Sequence, residues 1–598
     1  MKEQRSRGSL IGLIVFAALA AMAVSQAASP GPLPLQKAAP ASEPDKAAIA
    51  DTRTYLQRLE KLGFAGVVLV AKGGTPLFAE GFGLADRERG LRWTPATVSC
   101  TGSITKQFTG AAILKLEEDK KLSVTDPITL YFKDVPADKA QITLHHLLTH
   151  SSGLSDPEDI GDYDPVPLAD YVRKVLAQPL LFAPGAGYTY ANANFSLLGA
   201  IIEKLSGMSY EAFVRERLFL PNGMYETGYL LPQWGDGRMA QGYRAGERWG
   251  TVLGHPMAAD GPHWALRANG GIHTTAYDML RWAQALLEGR VLSPESMKKY
   301  WAPHVSEGGD TFYGYGWSIA KAPDGTKIVT HNGGNGIFFA DLAIVPDAGL
   351  VVFLMTNVIA ESRVANSLLE QLGMRFLAGH PYPSIPEIVG LYEAALAAFA
   401  GSYRLPGDGG GYRLTIDGKA LFIEAEGPKA FALLNSVQEA EPGRFEKLNR
   451  LMDKIITANR KGDFAPLFKA YGGRSPIELL KTHWGERTKE IEEGRGRILR
   501  HEVLGTARTQ DRDETVVRFH CEKGSADRTY VWDLKEEGRL LGMSVRGLAV
   551  RMRLYASGER DFFTWDGGIR PPKAVHFEKT PDGKMGLKLE GAKDVAVR

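Results

Sequence analysis

Ser103-Ile104-Thr105-Lys106, then Tyr190-Ala191-Asn192, then His331-Asn332-Gly333: these three stretches, in this order, decide how the chain is read. Each is weak alone. S-x-x-K recurs at Ser296-Met297-Lys298-Lys299, and H-x-G recurs at His483-Trp484-Gly485, whereas Tyr190-Ala191-Asn192 is the only Y-x-N. Context separates them from the decoys. Ser103 precedes a helix-forming run, Tyr190 lies in a loop ahead of another such run, and His331 leads into an apolar hairpin. Outside this context Ser103 would be a helix cap, Lys106 a solvated lysine, Tyr190 a core aromatic and His331 a strand-end histidine.

The chemistry follows from helix geometry. Positions i and i+3 share a face, so Lys106 brings its amine beside the Ser103 hydroxyl near a helix N-terminus. A serine must lose its proton as it attacks, so a base has to sit within hydrogen-bond reach. Lys106 serves if desolvation lowers its pKa, and Tyr190 serves if positive charge favours its phenolate. Both stay open as the base.

Patterns around the motifs predict an α+β fold. Phe64 to Ala71, the turn Gly73-Gly74 and Thr75 to Phe82 read as one hairpin; Leu342 to Val345 and Leu350 to Met355, joined through Pro346-Asp347-Ala348-Gly349, read as another. Helical periodicity at Ile104 to Leu116, Phe195 to Leu205 and Ala276 to Leu287 lies between them. Strands at both ends with helices between predict one antiparallel sheet closed by the ends of this region, with a helical region beside it.

With those landmarks in place, the chain resembles the serine β-lactamase and penicillin-binding protein superfamily, in its class C-like branch of esterases and D-stereospecific peptidases. Leu147-Leu148-Thr149-His150-Ser151-Ser152-Gly153-Leu154, Ala240-Gln241-Gly242-Tyr243, Gly270-Gly271-Ile272-His273-Thr274-Thr275 and Tyr313-Gly314-Tyr315-Gly316-Trp317 extend the resemblance over residues 52–380. It implies a β-lactamase/transpeptidase-like domain with Ser103, Lys106 and Tyr190 as catalytic residues. It also implies that Asn192 hydrogen-bonds Lys106 and a substrate amide, and that the backbone N–H groups of Ser103 and Gly334 form the oxyanion hole. Gly333 and Gly334 suit a strand that substrate approaches closely. His331 departs from the Lys-Thr-Gly of true β-lactamases and penicillin-binding proteins; a largely neutral histidine weakens antibiotic hydrolysis and favours esters or small amides.

With 598 residues, 44% apolar, the chain should divide into several domains. A net charge of +2 with mixed signs lacks the basic field that nucleic acid requires. Lys2, Arg5 and Arg7, the apolar run Leu10 to Val24 and the small residues that follow predict a cleavable signal peptide over 1–27, hence a periplasmic or secreted protein without stable membrane insertion. A Pro/Ala-rich linker is expected over 28–51. Cys100 and Cys521 give no disulfide framework and read as buried small hydrophobes. His146 and His150 share the i, i+4 spacing of zinc ligands, but no Glu follows His146, so no metal and no cofactor is expected.

Past Pro381, Pro383 and Pro386, a helix-like stretch from Val389 to Phe399 leads into β-rich runs. Segments 396–445 and 547–598 read as two halves of a β-barrel-like module. The intervening 446–546, helices followed by strands, reads as an NTF2-like insertion. His501, His520 and His576 read as structural. The expected substrate is a small-molecule ester, amide or D-amino-acid peptide. A β-lactamase or DD-peptidase, and a non-catalytic binding protein on the same fold, are the alternatives.

Overall fold

The apolar run after Phe64 becomes the strand Gly66–Lys72, which is buried along all but its last residue because it pairs on both sides. A computed structural model describes residues 42–598 except 245, 323, 360–364, 408, 439, 474–476, 510–511, 545–546 and 566–571. The predicted signal peptide and the linker up to residue 41 lie outside the described residues.

Gly66–Lys72 joins Thr75–Phe82 on one side and Leu350–Thr356 on the other, so the two ends of the catalytic region meet in one sheet. The eight-stranded order continues through Phe339–Val345, Lys327–Gly334, Ser318–Lys321, Thr311–Tyr313 and Val305–Gly308, every pairing antiparallel. Leu350–Thr356 is buried at every position, as a strand covered on both faces must be. One face packs with the helices Thr105–Glu118, Asn192–Ser206 and Ala276–Leu287 in the main core; the other carries the helix Glu43–Lys61, whose Tyr55, Leu56 and Leu59 meet Val68, Val70 and Leu354.

That last helix corrects the expectation of an extended linker to residue 51. Ser42 caps it by accepting a hydrogen bond from Asp45 N, and Pro44 stands in the first turn, where its missing N–H costs nothing. The helix-like stretch expected over Val389 to Phe399 is reduced to Glu393–Ala397.

The C-terminal region contains a closed eight-stranded barrel built from Gly401–Arg404, Gly411–Asp417, Ala420–Glu426, Arg551–Ala556, Asp561–Thr564, Lys573–Lys579, Met585–Leu589 and Ala596–Val597. Leu421–Glu424 pairs directly with Arg551–Leu554 across the intervening sequence. Tyr403, Phe399, Phe562 and Phe577 fill its interior with edge-to-face and tilted rings. A helix at Pro428–Asn435, in what the sequence reads as a β-rich run, packs against the strands. Between the barrel halves, the helices Arg444–Asn459, Ala465–Ala470 and Ile477–Glu492 accompany a separate four-stranded sheet, Ile498–Arg508, Asp513–Cys521, Gly524–Trp532 and Leu540–Met543. Both cysteines are free and buried. No helix among the described residues is long and apolar enough to cross a membrane.

Candidate active site

Ser103 sits in a tight turn, Gly102–Ile104, that feeds the helix Thr105–Glu118. This helix is central: eleven of its fourteen residues are buried, Lys106 among them. Two glycines set the close approach of the serine turn to the strand Lys327–Gly334. Gly102 holds φ +52°, and a Cβ there would stand 2.4 Å from Gly334 N. A Cβ on Gly333 would stand 2.0 Å from Thr101 O and 2.4 Å from Ser103 N. The two backbones therefore touch with no side chain between them, which brings the Ser103 and Gly334 amides to neighbouring positions.

Lys106 Nζ lies 3.0 Å from Ser103 Oγ, 2.8 Å from Asn192 Oδ1 and 2.8 Å from Asn269 O. Burial pushes its pKa down to about 7, against the opposing pull of Asp156 and Asp162. A neutral amine has two N–H groups and one lone pair. The two amide oxygens take the N–H groups, and the lone pair is left for the Ser103 hydroxyl proton.

Tyr190 brings its ring 4.7 Å from Lys106 Nζ, and its hydroxyl lies near enough to Ser103 for that residue to influence its titration. Lost solvation around that hydroxyl raises its pKa, with the Ser103 contact opposing; the 39% exposure of the residue moderates the shift but leaves its direction. The loop is fixed from behind by His150, whose ring lies 4.3 Å from that of Tyr190 and whose Nδ1 accepts from Ala191 N. His150 stands beyond the end of the helix Leu144–Leu148, at φ +55°, while His146 closes that helix's capping box. The two histidines thus do not share a helix face, and the spacing argument for a metal pair lapses. Asn192 opens the helix Asn192–Ser206, and Asp156 accepts hydrogen bonds from its N–H and that of Ala193.

His331 is buried on the strand beneath Tyr190. Its Nδ1 lies 2.6 Å from Asn332 O, which can only accept, so Nδ1 carries the proton and Nε2 accepts from Tyr313 Oη at 2.9 Å. Burial, then the Lys106 charge, lowers its pKa to about 3. It is a neutral strut with both nitrogens engaged.

The structure therefore brings Ser103, Lys106, Tyr190, Asn192, His331, Gly333 and Gly334 into one neighbourhood. The decoys stay apart in role: Ser296 sits within a helix capped by Ser293, and Lys299 pairs with Glu117. Sequence reasoning gave no role to Asn269, whose carbonyl holds Lys106 and whose side chain donates to Ser196 Oγ and Ala265 O. It gave none to Tyr313 or His150 either, although both stand inside landmark stretches. Asp162 carried no signal at all. It lines, with Ser103, Asn192, Asn269, Gly334 and Asn335, a cavity of about 40 Å³.

The sequence model of the family described as Beta-lactamase matches residues 52–371. A penicillin-binding protein of Bacillus subtilis is 28% identical over 414 residues, covering 64% of this chain and 90% of its own length. Esterase EstB of Burkholderia gladioli is 28% identical over 343 residues, covering 49% of this chain and 85% of its own. An octameric penicillin-binding protein homologue from Pyrococcus abyssi, 19% identical, superimposes with a TM-score of 0.52 over 92% of this chain and 99% of that one, a likeness of fold that takes in the C-terminal region. With the family's sequence model spanning more than half of the 598 residues, and the Lys106 amine set against both the Ser103 hydroxyl and the Tyr190 ring, the chain belongs to the β-lactamase family and is a serine hydrolase.

Proposed function

We propose that Ser103 forms an acyl-enzyme with a small ester, amide or D-amino-acid peptide, and that the protein works after export. The observation that carries this reading is the buried Lys106 amine, with a pKa near 7, 3.0 Å from the Ser103 hydroxyl. Ser103 Oγ attacks the carbonyl carbon while its proton passes to the Lys106 lone pair. The carbonyl π pair moves onto oxygen, where the Ser103 and Gly334 N–H groups stabilise it. Collapse breaks the bond to the leaving group, which takes a proton from the Tyr190 hydroxyl; Lys106 restores that proton. Water then repeats the sequence on the acyl ester and releases the acid. The raised Tyr190 pKa suits a neutral donor better than a phenolate base.

The penicillin-type alternative requires a fixed cation for the substrate carboxylate, and a neutral His331 supplies none. Export rests on the charge and hydropathy order of residues 1–27. For the C-terminal region, the division into a barrel from 396–445 and 547–598 around an inserted 446–546 is supported by the direct pairing of Leu421–Glu424 with Arg551–Leu554. Turnover of p-nitrophenyl acetate by the protein and by its Ser103→Ala variant tests the catalytic reading: loss in the variant is expected, and equal rates overturn it.

A further inference from the structure

The residues on either side of Tyr190 are both bonded to His150. Thr189 N donates to His150 O at 3.0 Å, and Ala191 N donates to His150 Nδ1 at 3.2 Å. The imidazole also lies against the Tyr190 ring, with centroids 4.3 Å apart. One fully buried residue thus holds the tyrosine before, after and behind, although Tyr190 stands on a loop and is 39% exposed. The bond at Nδ1 fixes the tautomer. Ser152 Oγ donates to Asn194 Oδ1, which leaves the Asn194 amide nitrogen facing His150 Nδ1 at 3.1 Å. With two N–H groups aimed at it, Nδ1 can only accept, so the proton of the neutral ring is on Nε2. That N–H is buried among the rings of Tyr188, Phe195 and Tyr313 and has no hydrogen-bond partner among the described residues. An unpaired buried donor destabilises a fold, and this one is retained where the same ring secures Ala191.

From this arrangement we propose that His150 is a positioning residue for proton delivery: its Nδ1, by holding Ala191, aims the Tyr190 hydroxyl at the departing group, so that alkyl esters and amides acylate Ser103 as well as activated esters do. The inference rests on the acyl-enzyme reading above. As the bond from the carbonyl carbon to the leaving group breaks, its electron pair goes to the departing oxygen or nitrogen. An alkoxide or an amine anion is too basic to leave in that form and takes the Tyr190 proton in the same step, whereas p-nitrophenolate is stable without one. Misplacing the Tyr190 hydroxyl by about 1 Å would therefore slow the first kind selectively.

The test compares kcat/KM for ethyl acetate with that for p-nitrophenyl acetate in the full-length protein and its variants. Both esters give the same acetyl-enzyme, so their ratio reports acylation and not the later attack of water, and a general loosening of the site moves both alike. His150→Phe keeps a ring but removes the acceptor, and it should lower the ratio by about tenfold or more. His150→Asn offers an Oδ1 to the Ala191 N–H, and its ratio should stay within about threefold of native. If His150→Phe does not fold, His150→Leu carries the same comparison. Tyr190→Phe should show the same selective loss, and adding the His150 substitution to it should lower the ratio no further, because His150 acts through Tyr190. An unchanged ratio in His150→Phe, an equal loss in His150→Asn, a further loss in the double variant, or native protein that turns over p-nitrophenyl acetate but not ethyl acetate would overturn the proposal. Absence of p-nitrophenyl acetate turnover would instead remove the acyl-enzyme reading beneath it.

Discussion

Gly333→Ala puts a single methyl group where two backbones meet. Built on the native strand, its Cβ would stand 2.0 Å from Thr101 O, 2.4 Å from Ser103 N and 2.8 Å from Gly102 C, all below the 3.0 Å that real Cβ atoms respect. Every one of these neighbours is backbone, so none can rotate aside. Relief requires the strand and the serine turn to separate by about 1 Å, and a displacement of that size at reacting atoms costs on the order of a hundredfold in rate. The folded state should lose about 1–3 kcal/mol, the usual range for an overpacked core site. Steady-state turnover of p-nitrophenyl acetate reads the first quantity and urea unfolding the second. The loss should fall on kcat more than on KM, because the Ser103 and Gly334 amides grip the oxyanion only as it forms. A Gly333→Ala protein within about twofold of native kcat would refute the argument that these backbones are in fixed contact, given the hundredfold expected.

Ester turnover should rise with pH through about 7 and then level off, because Lys106 must be unprotonated to take the serine proton; a flat profile across that range would exclude Lys106 as the base. The same shift acts on stability. Burial lowers the Lys106 pKa from 10.5 to about 7, so between those values the unfolded chain binds more protons and native stability rises with pH, a dependence that should weaken in Lys106→Met. In the barrel, Phe577 is fully buried against Phe399 and Phe562, and Phe577→Ala should cost about 3–5 kcal/mol in chemical unfolding.

Legibility from sequence followed the range of the interactions. The helix Ala276–Leu287 and the strands Thr75–Phe82 and Leu350–Thr356 were readable because local periodicity and turn chemistry agree with burial there. The helix Glu43–Lys61 was obscured by a Pro/Ala-rich approach, although Ser42 and Pro44 are good start signals. Pro428–Asn435 starts on the proline of Gly427-Pro428, a dipeptide that also marks turns, and its helical state depends on packing against the strands. Ser103 and Lys106 are neighbours on one helical turn, so their contact could be read off the spacing. Asn269, Tyr313 and Asp162 meet the site only through the tertiary fold, and nothing local marks what each faces. His331 was expected to be neutral, but the two hydrogen bonds that hold it so are long-range and backbone details respectively.

The most direct test of the central claim is covalent: brief exposure to p-nitrophenyl acetate, acid quench, and peptide mass mapping. An added acetyl mass on the peptide containing Ser103, absent from Ser103→Ala and from protein not exposed to the ester, is the predicted result. Turnover that persists in Ser103→Ala, or an acetyl group carried on a different side chain, would contradict the account.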